Sequence, residues 1–457
     1  MVGLVALPGI LTVASRQRLE SASVRPAKTV TESFAVRFTE QRLKNGLRVI
    51  VSEDHSAPTY SICVTYNVGS RDERSGRTGF AHLFEHMMFQ GSENVGKGEH
   101  FILVLNNGGR ANGTTNADRT NYFQTLPANQ LELGVFLEAD RMRSLNINQA
   151  NFDNQRQTVK EERRQNFDNR PYGKTAETVL ATAYDNFAYK HSTIGSMEDL
   201  DAATVEDAAD FFRTYYTPNN AVLSLVGNFK SEVAFGLVKK HFESIPIRPP
   251  PPVPDVREPE QKAERRETLE DPFASAPRID MVFKTPPGNT PDAYALEVMS
   301  EVLSGGLSSR LYQKLVKDKE VALSISARAH ERRGPSLFWI SLMARPGVNL
   351  TDIETLVYEE LERVKNEPIA DWEMDKVRRQ LRRSQAQGLY STRSRANALG
   401  RFAVYYDEPA LINSVWQKIS QVTKADLQRV AGLYFTATNR TVVITLPKVK
   451  GPTPSTR

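Results

Sequence analysis

Two stretches of this chain repeat one pattern of apolar and polar positions. "TVEDAADFFRTYYTPNNAVLSLVG", from Thr204, spaces its apolar residues at helical intervals, breaks at a turn, and ends in a short apolar run of strand character. "TKADLQRVAGLYFTATNRTVVITLP", from Thr423, does the same without gaps, so that Thr204 matches Thr423, Asp207 matches Asp426, Tyr215 matches Tyr434, Thr217 matches Thr436 and Asn220 matches Asn439. In both, a Thr followed three residues later by an acid is close to a capping-box start. Earlier in each half, "YSICVTYNVGSRDERSGRTGFAHLFEH" and "RIDMVFKTPPGNTPDAYALEVMSEVLSGG" both read as strand, loop, helix. The repetition predicts a duplicated α+β domain, each copy a layer of sheet and helices.

Between the copies, "PIRPPPPVPDVREPEQKAERRETLEDP", residues 246–272, has four consecutive prolines and then a charged stretch without a sustained apolar face. Polyproline II and solvated charge describe a linker. The expected division is therefore 35–245 for the first domain, 246–272 for the linker and 273–457 for the second. Residues 1–34 stand apart. "MVGLVALPGILTVAS" is apolar and ends in the small residues Ala14 and Ser15, which reads as an export signal, although a basic start is missing and Pro8 interrupts the run. A transit peptide for an organelle is the alternative, with Arg16, Arg18 and Arg25 close by and Glu20 the only acid before Glu32.

A length of 457 residues with 40% apolar and 25% charged content is that of a soluble globular protein of two or three domains. The formal charge of +5 is spread among mixed-sign stretches such as "EERRQNFDNR", which argues for a solvated surface and against a nucleic-acid stripe. Cys63 is the only cysteine, so there is neither an intrachain disulfide nor a cysteine-based zinc ribbon. No apolar run is long enough to span a bilayer.

Candidate chemistry sits in "AHLFEHMMFQGS", residues 81–92. In a helix, His82 and His86 stand one turn apart on one face, with Glu85 flanking it. Two imidazoles so placed can hold a Zn²⁺, and a neighbouring carboxylate that is not a ligand can take a proton from metal-bound water. The order H-x-x-E-H is the inverzincin signature. An ordinary helix with hydrogen-bonded histidines is the bland alternative. A third ligand is required. Downstream, "VKEERRQ" offers Glu161 and Glu162, of which at most one can face the same metal, because they are rotated about 100° from each other. Aligning Gly91 with Gly305 puts Leu296, Met299 and Ser300 where His82, Glu85 and His86 stand, so the second copy has lost the metal chemistry.

From about residue 38 to 447 the chain resembles the pitrilysin and mitochondrial-processing-peptidase family of zinc metallopeptidases, and within it the short bacterial two-domain subunits. The matching stretches are "GSRDERSGRTGFAHLFEHMMFQGS", "NGTTNADRTNYFQTLPANQLELGVFLEADRM", "VKEERRQNFDNRPYG" and "YTPNNAVLSLVGNF". The resemblance implies that the third ligand is Glu162, 76 residues after His86. It implies one Zn²⁺ per chain, a further catalytic carboxylate placed at Glu177, and a clamshell-like chamber closed by a partner subunit. It also implies a zinc-dependent endopeptidase with Glu85 as general base, and an edge strand at Asn112, Gly113, Thr114 and Thr115 that pairs with the backbone of an extended peptide.

One part of the family pattern is missing. Active members carry an Arg and a Tyr seven residues apart in the second domain, just after the segment "SSRLYQKL". Here those positions hold Val316 and Leu323, and the nearby Arg310 and Tyr312 do not match. Val and Leu cannot donate a hydrogen bond to an oxyanion. The expectation is a heterodimer with a homologous subunit that supplies Arg and Tyr, with a homodimer as the other arrangement. A subunit that processes mitochondrial presequences and a non-catalytic structural homologue are the competing functions. The expected compartment is the periplasm or another exported location, with the mitochondrial matrix or cytoplasm as alternatives.

Overall fold

The computed structural model describes residues 35–448, and the expected leader at 1–34 lies outside them. The first half contributes strands β1 (Thr39–Arg42), β2 (Arg48–Glu53), β3 (Thr59–Tyr66), β4 (Arg110–Thr115), β5 (Thr120–Pro127) and β6 (Ala221–Gly227). Its helices are α1 (Phe80–Met87), α2 (Glu99–Asn106), α3 (Leu131–Arg143), α4 (Gln149–Arg163), α5 (Thr175–Ala183), α6 (Phe187–Lys190), α7 (Met197–Ala202), α8 (Val205–Tyr215) and α9 (Ser231–Phe242). The second half contributes β7 (Arg265–Asp271), β8 (Arg278–Thr285), β9 (Ala322–His330), β10 (Ser336–Ala344) and β11 (Arg440–Pro447). Around them lie α10 (Pro291–Ser304), α11 (Leu350–Asn366), α12 (Asp371–Gly388), α13 (Thr392–Tyr406), α14 (Leu411–Ser420) and α15 (Lys424–Tyr434).

The strands form two sheets, ordered β1-β2-β6-β3-β5-β4 and β7-β11-β8-β10-β9. Apart from the extra strand β1, the two orders correspond strand for strand. Both include one parallel pair, β2 with β6 and β7 with β11, and the remaining pairings are antiparallel. The repeated helix starts are capping boxes in both copies: Asp207 N–H donates to Thr204 Oγ1 and Asp426 N–H to Thr423 Oγ1, each at 3.1 Å. Each sheet buries one face under its own helices, in a core around Val64, Phe84, Tyr122 and Leu223 in the first half and around Met281, Leu296, Phe338 and Val357 in the second.

The other faces are covered reciprocally. Helix α13, from the second half, lies on β3 and β6 of the first sheet. Gly400 meets β3 so closely that a Cβ there would stand 2.5 Å from Thr65 Oγ1. Leu399, Phe402 and Ala403 share an apolar cluster with Ile50, Cys63 and Val226. In return α5, from the first half, lies on β7, β8 and β11, with Val179 and Ala183 packed among Val282, Leu337 and Val443. Hydroxyl contacts accompany both dockings, Ser61 with Thr392 and Thr175 with Thr445, each at 2.8 Å.

This exchange corrects the expected division. Residues 35–245 and 273–457 are not self-contained bodies, because each takes a covering helix from the other, and the described chain from Val36 onward falls into one compact unit. Nor is all of 246–272 linker: its segment Arg265–Asp271 is strand β7, paired with β11 from Thr441↔Arg265 to Pro447↔Asp271. "RRETLED" carries almost no apolar alternation because it is an edge strand with most side chains in solvent. Its backbone pairing, invisible to hydropathy, makes it a strand.

Candidate metal centre

Helix α1 has two faces of opposite character. Phe80, Ala81, Leu83, Phe84 and Met87 are buried, and Phe84 packs against Phe211, Phe212 and Tyr216. His82, Glu85 and His86 occupy the partly exposed face, so an apolar run carries three polar groups without burying them in the core. The helix starts at Gly79, in the left-handed region at φ 87°, with no side-chain cap of its own. A distant carboxylate takes that role: Glu73 accepts from Gly79 N–H at 2.9 Å and from Ala81 N–H at 2.8 Å. A buried negative charge at a helix N-terminus satisfies two orphan donors and favours the helix dipole.

The third member of the cluster arrives on α4. Phe152, Gln155 and Val159 are buried along one face, and Glu162 continues it by one turn. Its Oε2 lies 3.7 Å from His82 Nε2 and 3.4 Å from His86 Nε2. Glu161 turns away and accepts from Arg164 and Gln165, both at 3.1 Å. One ligand atom from each of His82, His86 and Glu162 lies within 4.8 Å of the others. Bonds of ~2.1 Å in a tetrahedron place neighbouring ligand atoms ~3.4 Å apart, so the two nitrogen–oxygen separations fit one zinc ion between them.

The electrostatics suit a cation. Burial, then the neighbouring His86, bring His82 down to about 4, although the charge of Glu162 opposes this, so its imidazole is neutral at neutral pH. The His86 hydrogen bond and the charges of both imidazoles hold Glu162 below the usual carboxylate range, against the opposing effect of burial. Glu85 is raised by burial, against a hydrogen bond from Thr115 and the charges of His86 and Arg119. A carboxylate that binds its proton more tightly than usual is the better base.

Glu85 also joins the cluster to the sheet. Thr115 Oγ1 donates to Glu85 Oε2 at 2.6 Å, and a Cβ on Gly113 would stand 2.9 Å from Glu85 Cγ. Both residues belong to β4, which is an edge strand paired only with β5. Asn116 N–H donates to Arg119 O across the turn, so by alternation Asn112 and Thr114 aim their backbone groups at β5. Ala111, Gly113 and Thr115 then aim theirs outward. In agreement, Gly113 N–H meets the Oδ1 of its own neighbour Asn112, at 2.9 Å. Asn112, Gly113, Thr114 and Thr115 thus all lie on the edge strand near Glu85, but of the four only Gly113 and Thr115 turn their backbone groups outward. Arg119, whose Nη1 donates to Thr114 O at 2.6 Å, pins the end of that edge.

Glu177 stands elsewhere. It lies on α5 and accepts from Arg163 Nη1 at 2.7 Å and Nη2 at 3.0 Å, which directs its carboxylate to the neighbour of Glu162 and not to the cluster. The α4 position on the Glu162 face two turns earlier is Gln155, whose amide donates to Asn154. The described bonds of Glu177 are thus to Arg163, and the cluster of His82, His86 and Glu162 forms without it. In the second half, Val316 packs on the core and Leu323 on β9 is 48% exposed. Arg310 is held by Glu373 through two bonds of 2.8 Å. Sequence reasoning missed Glu73 and Arg163, each of which sits in a run of charges resembling a solvated loop. The only hint for Glu73 was an acid shortly before a glycine that opens an uncapped helix.

Comparison with known proteins places this arrangement in context. Residues 48–197 match the family model described as insulinase (peptidase family M16), and residues 202–381 match the one described as peptidase M16 inactive domain. The chain is 31% identical to the zinc protease PqqE of Helicobacter pylori, over 91% of this chain and 94% of that protein. It is 25% identical to a probable mitochondrial-processing peptidase subunit beta of Arabidopsis thaliana, over 86% and 75% respectively. Among solved structures, a protease from Helicobacter pylori superposes with a TM-score of 0.87 at 30% identity, covering 91% of this chain and all of that one. The first half of the periplasmic protease PqqL from Escherichia coli shares the fold, with a TM-score of 0.74 at 17% identity over 91% of this chain and 92% of that one.

Proposed function

The chain belongs to the M16 family of peptidases, and from that premise we propose that it is the metal-bearing subunit of a zinc-dependent endopeptidase acting on extended peptides. The observation that carries the reading is the convergence of His82, His86 and Glu162 next to a carboxylate, Glu85, that is itself tied to an open strand edge.

In this reading the peptide adds a strand to β4, bonding through the outward groups of Ala111, Gly113 and Thr115. Its carbonyl takes over the Gly113 N–H that Asn112 Oδ1 occupies. Main-chain pairing of this kind gives affinity with little sequence preference. His82, His86 and Glu162 would hold the zinc, which when bound polarises the scissile carbonyl and activates water. Glu85, raised by burial, accepts the proton of the attacking water and delivers it to the departing amine. The Thr115 hydroxyl fixes which carboxylate oxygen is free to do so.

The same proposal includes a partner. Val316 and Leu323 bring no hydrogen-bond donor to the reaction, and a second copy of this chain would repeat them. A homologous, different subunit bearing Arg and Tyr supplies the missing donors and closes a chamber over the site. Export to the periplasm is part of the reading, supported by the apolar start of the sequence and by the periplasmic origin stated for the Escherichia coli relative. Among the described residues no helix is long and apolar enough to cross a membrane.

The test pairs two variants. Glu85→Gln is expected to retain one zinc per chain and to lose 10²- to 10⁴-fold in peptide hydrolysis, as removal of a general base does. His82→Ala is expected to lose zinc and hydrolysis together. Zinc content by mass spectrometry and a fluorogenic peptide assay with the homologous subunit added read both. Full activity of Glu85→Gln would end the assignment of the base.

A further inference from the structure

The two helices that bring the cluster together are separated in sequence by residues 88–148, yet one short segment touches both. We propose that residues 191–196, "HSTIGS", form a strap that sets the distance between α1 and α4, and hence the spacing of His82 and His86 from Glu162. Glu73–His191 is its anchor on one side and Glu177–Arg163 its anchor on the other. The inference rests on the metal reading above and assigns it an outer layer of positioning residues.

On the α1 side, Glu73 holds the helix start and is in turn held by His191, whose Nε2 lies 2.9 Å from both Glu73 Oε2 and Ser70 O. His191 Nδ1 lies 2.9 Å from Phe187 O. Carbonyl and carboxylate oxygens only accept, so both ring nitrogens of His191 carry hydrogen, and a half-buried imidazolium faces a buried carboxylate. Further along the strap, Ser196 N–H donates to Thr78 Oγ1 at 3.0 Å. Gly195 and Gly79 meet backbone to backbone: a Cβ on Gly195 would stand 2.5 Å from Gly79 Cα, and one on Gly79 would stand 2.6 Å from Ile194 O. Both glycines have positive φ, so a side chain at either position would separate the strap from the helix start.

On the α4 side, Arg163 Nη1 donates to Gly195 O at 2.5 Å while Glu177 grips the same guanidinium through two bonds. Arg163 follows Glu162 directly in the last turn of α4, and beyond it the chain widens into a π-helical turn, Arg164–Asp168. The hydrogen-bond ladder changes step there, so the last turn needs an outside hold to keep its direction. Gly195 provides one point of contact for both helices: its backbone abuts Gly79 and its carbonyl receives Arg163. None of these residues bonds to the ligand atoms: Glu177 holds Arg163, the neighbour of Glu162 on α4, and Glu73 holds the start of the helix that carries His82 and His86.

Outer partners of metal ligands typically change metal affinity by 10- to 100-fold when removed. Competition with a chromogenic chelator measures zinc affinity without any peptide substrate. Glu177→Gln, on a partly exposed side chain, is expected to weaken zinc by 10- to 100-fold while the thermal midpoint of the metal-free chain stays near that of the unmodified protein. Arg163→Ala is expected to weaken it similarly, and the double variant to lose no more than either single one, the signature of residues acting in one chain of contacts. Glu73→Gln, of the same shape, tests the other anchor. Zinc affinity within twofold of the unmodified chain in Glu177→Gln and Arg163→Ala would overturn the strap and leave the metal reading intact. An unmodified chain that takes up no zinc would overturn both.

Discussion

Helices α1 and α10 occupy the same place in two sheets of the same strand order, and they use it in opposite ways. On α1 the outward face carries His82, Glu85 and His86. At the matching positions of α10, Leu296 and Met299 are buried in the second core, and Ser300 turns to the neighbouring edge strand. There Ser300 Oγ accepts from Ala329 N–H at 2.9 Å, and Ser304 Oγ both accepts from Ala327 N–H at 2.8 Å and donates to Ala327 O at 3.0 Å. The edge of β9 is thereby stitched to its helix. The edge of β4 is not: its helix reaches it through Glu85 and Thr115, and the outward Gly113 N–H is covered only by Asn112. One scaffold thus serves two ends. Sealing an exposed edge is the common protection against stray pairing, and an edge left open beside Glu85 is what the proposed peptide-binding site requires.

The largest effect expected from disturbing this contrast is at Gly113. Gly113→Val fills the space taken by Glu85, and displacement of a reacting group by about 1 Å can cost ~10²-fold. Hydrolysis should fall by about two orders of magnitude with zinc retained, as read by peptide assay and metal content. The mirror change, Ser300→Ala with Ser304→Ala, should leave activity unaltered. It should instead destabilise the chain by ~1–3 kcal/mol, because two strand N–H groups lose their acceptors, which denaturant unfolding will record.

A smaller effect concerns the exchanged helices. Arg395 on α13 pairs with Asp54 of the first half; against burial, which raises it, the hydrogen bonds of Ser56 and then the bond and charge of Arg395 bring the Asp54 carboxyl down to about 2. A depressed folded value stabilises above the unfolded value near 4 and is lost as pH falls from there toward 2. Asp54→Asn should therefore cost about 2 kcal/mol at pH 7 and almost nothing at pH 2, measured by chemical denaturation across pH.

The smallest effect lies in the second half, where a cavity of about 420 Å³ remains beside α10, lined among others by Leu296, Glu297, Ser300, Glu331 and Arg401. Burial, with the nearby Glu331, lifts Glu297 to about 7. A raised carboxylate destabilises the fold wherever the unfolded chain ionises first, so stability falls as pH rises from the ordinary value near 4.5 to about 7 and levels off above it. Glu297→Gln should stabilise the chain at pH 8 by roughly 1–2 kcal/mol, discounted because the cavity is open to solvent, and should do little at pH 5.

Much of this contrast was legible in the residues. The two Thr-initiated helix–turn–strand repeats foretold the matching sheets, and the i, i+4 histidines with an acid between them foretold the polar face of α1. The choice of Glu162 over Glu161 needed the family resemblance, since helical spacing alone only showed that both could not face one metal. The exchange of α5 and α13 was hidden, because an amphipathic helix states that it has a buried face and not which sheet receives it. Strand β7 was hidden for the opposite reason, its side chains being solvated and its stability residing in the backbone. Glu73, Arg163 and Gly195 meet partners between 6 and 118 residues away, a range over which no periodicity reports.

The most direct test of the central claim is an anomalous-scattering map at the zinc edge from crystals of the chain grown with zinc. The account predicts one peak per chain, bonded by His82 Nε2, His86 Nε2 and a Glu162 carboxylate oxygen, with Glu85 beside it and unbonded. A peak that excludes Glu162, or no peak between α1 and α4 in zinc-saturated crystals, would contradict it.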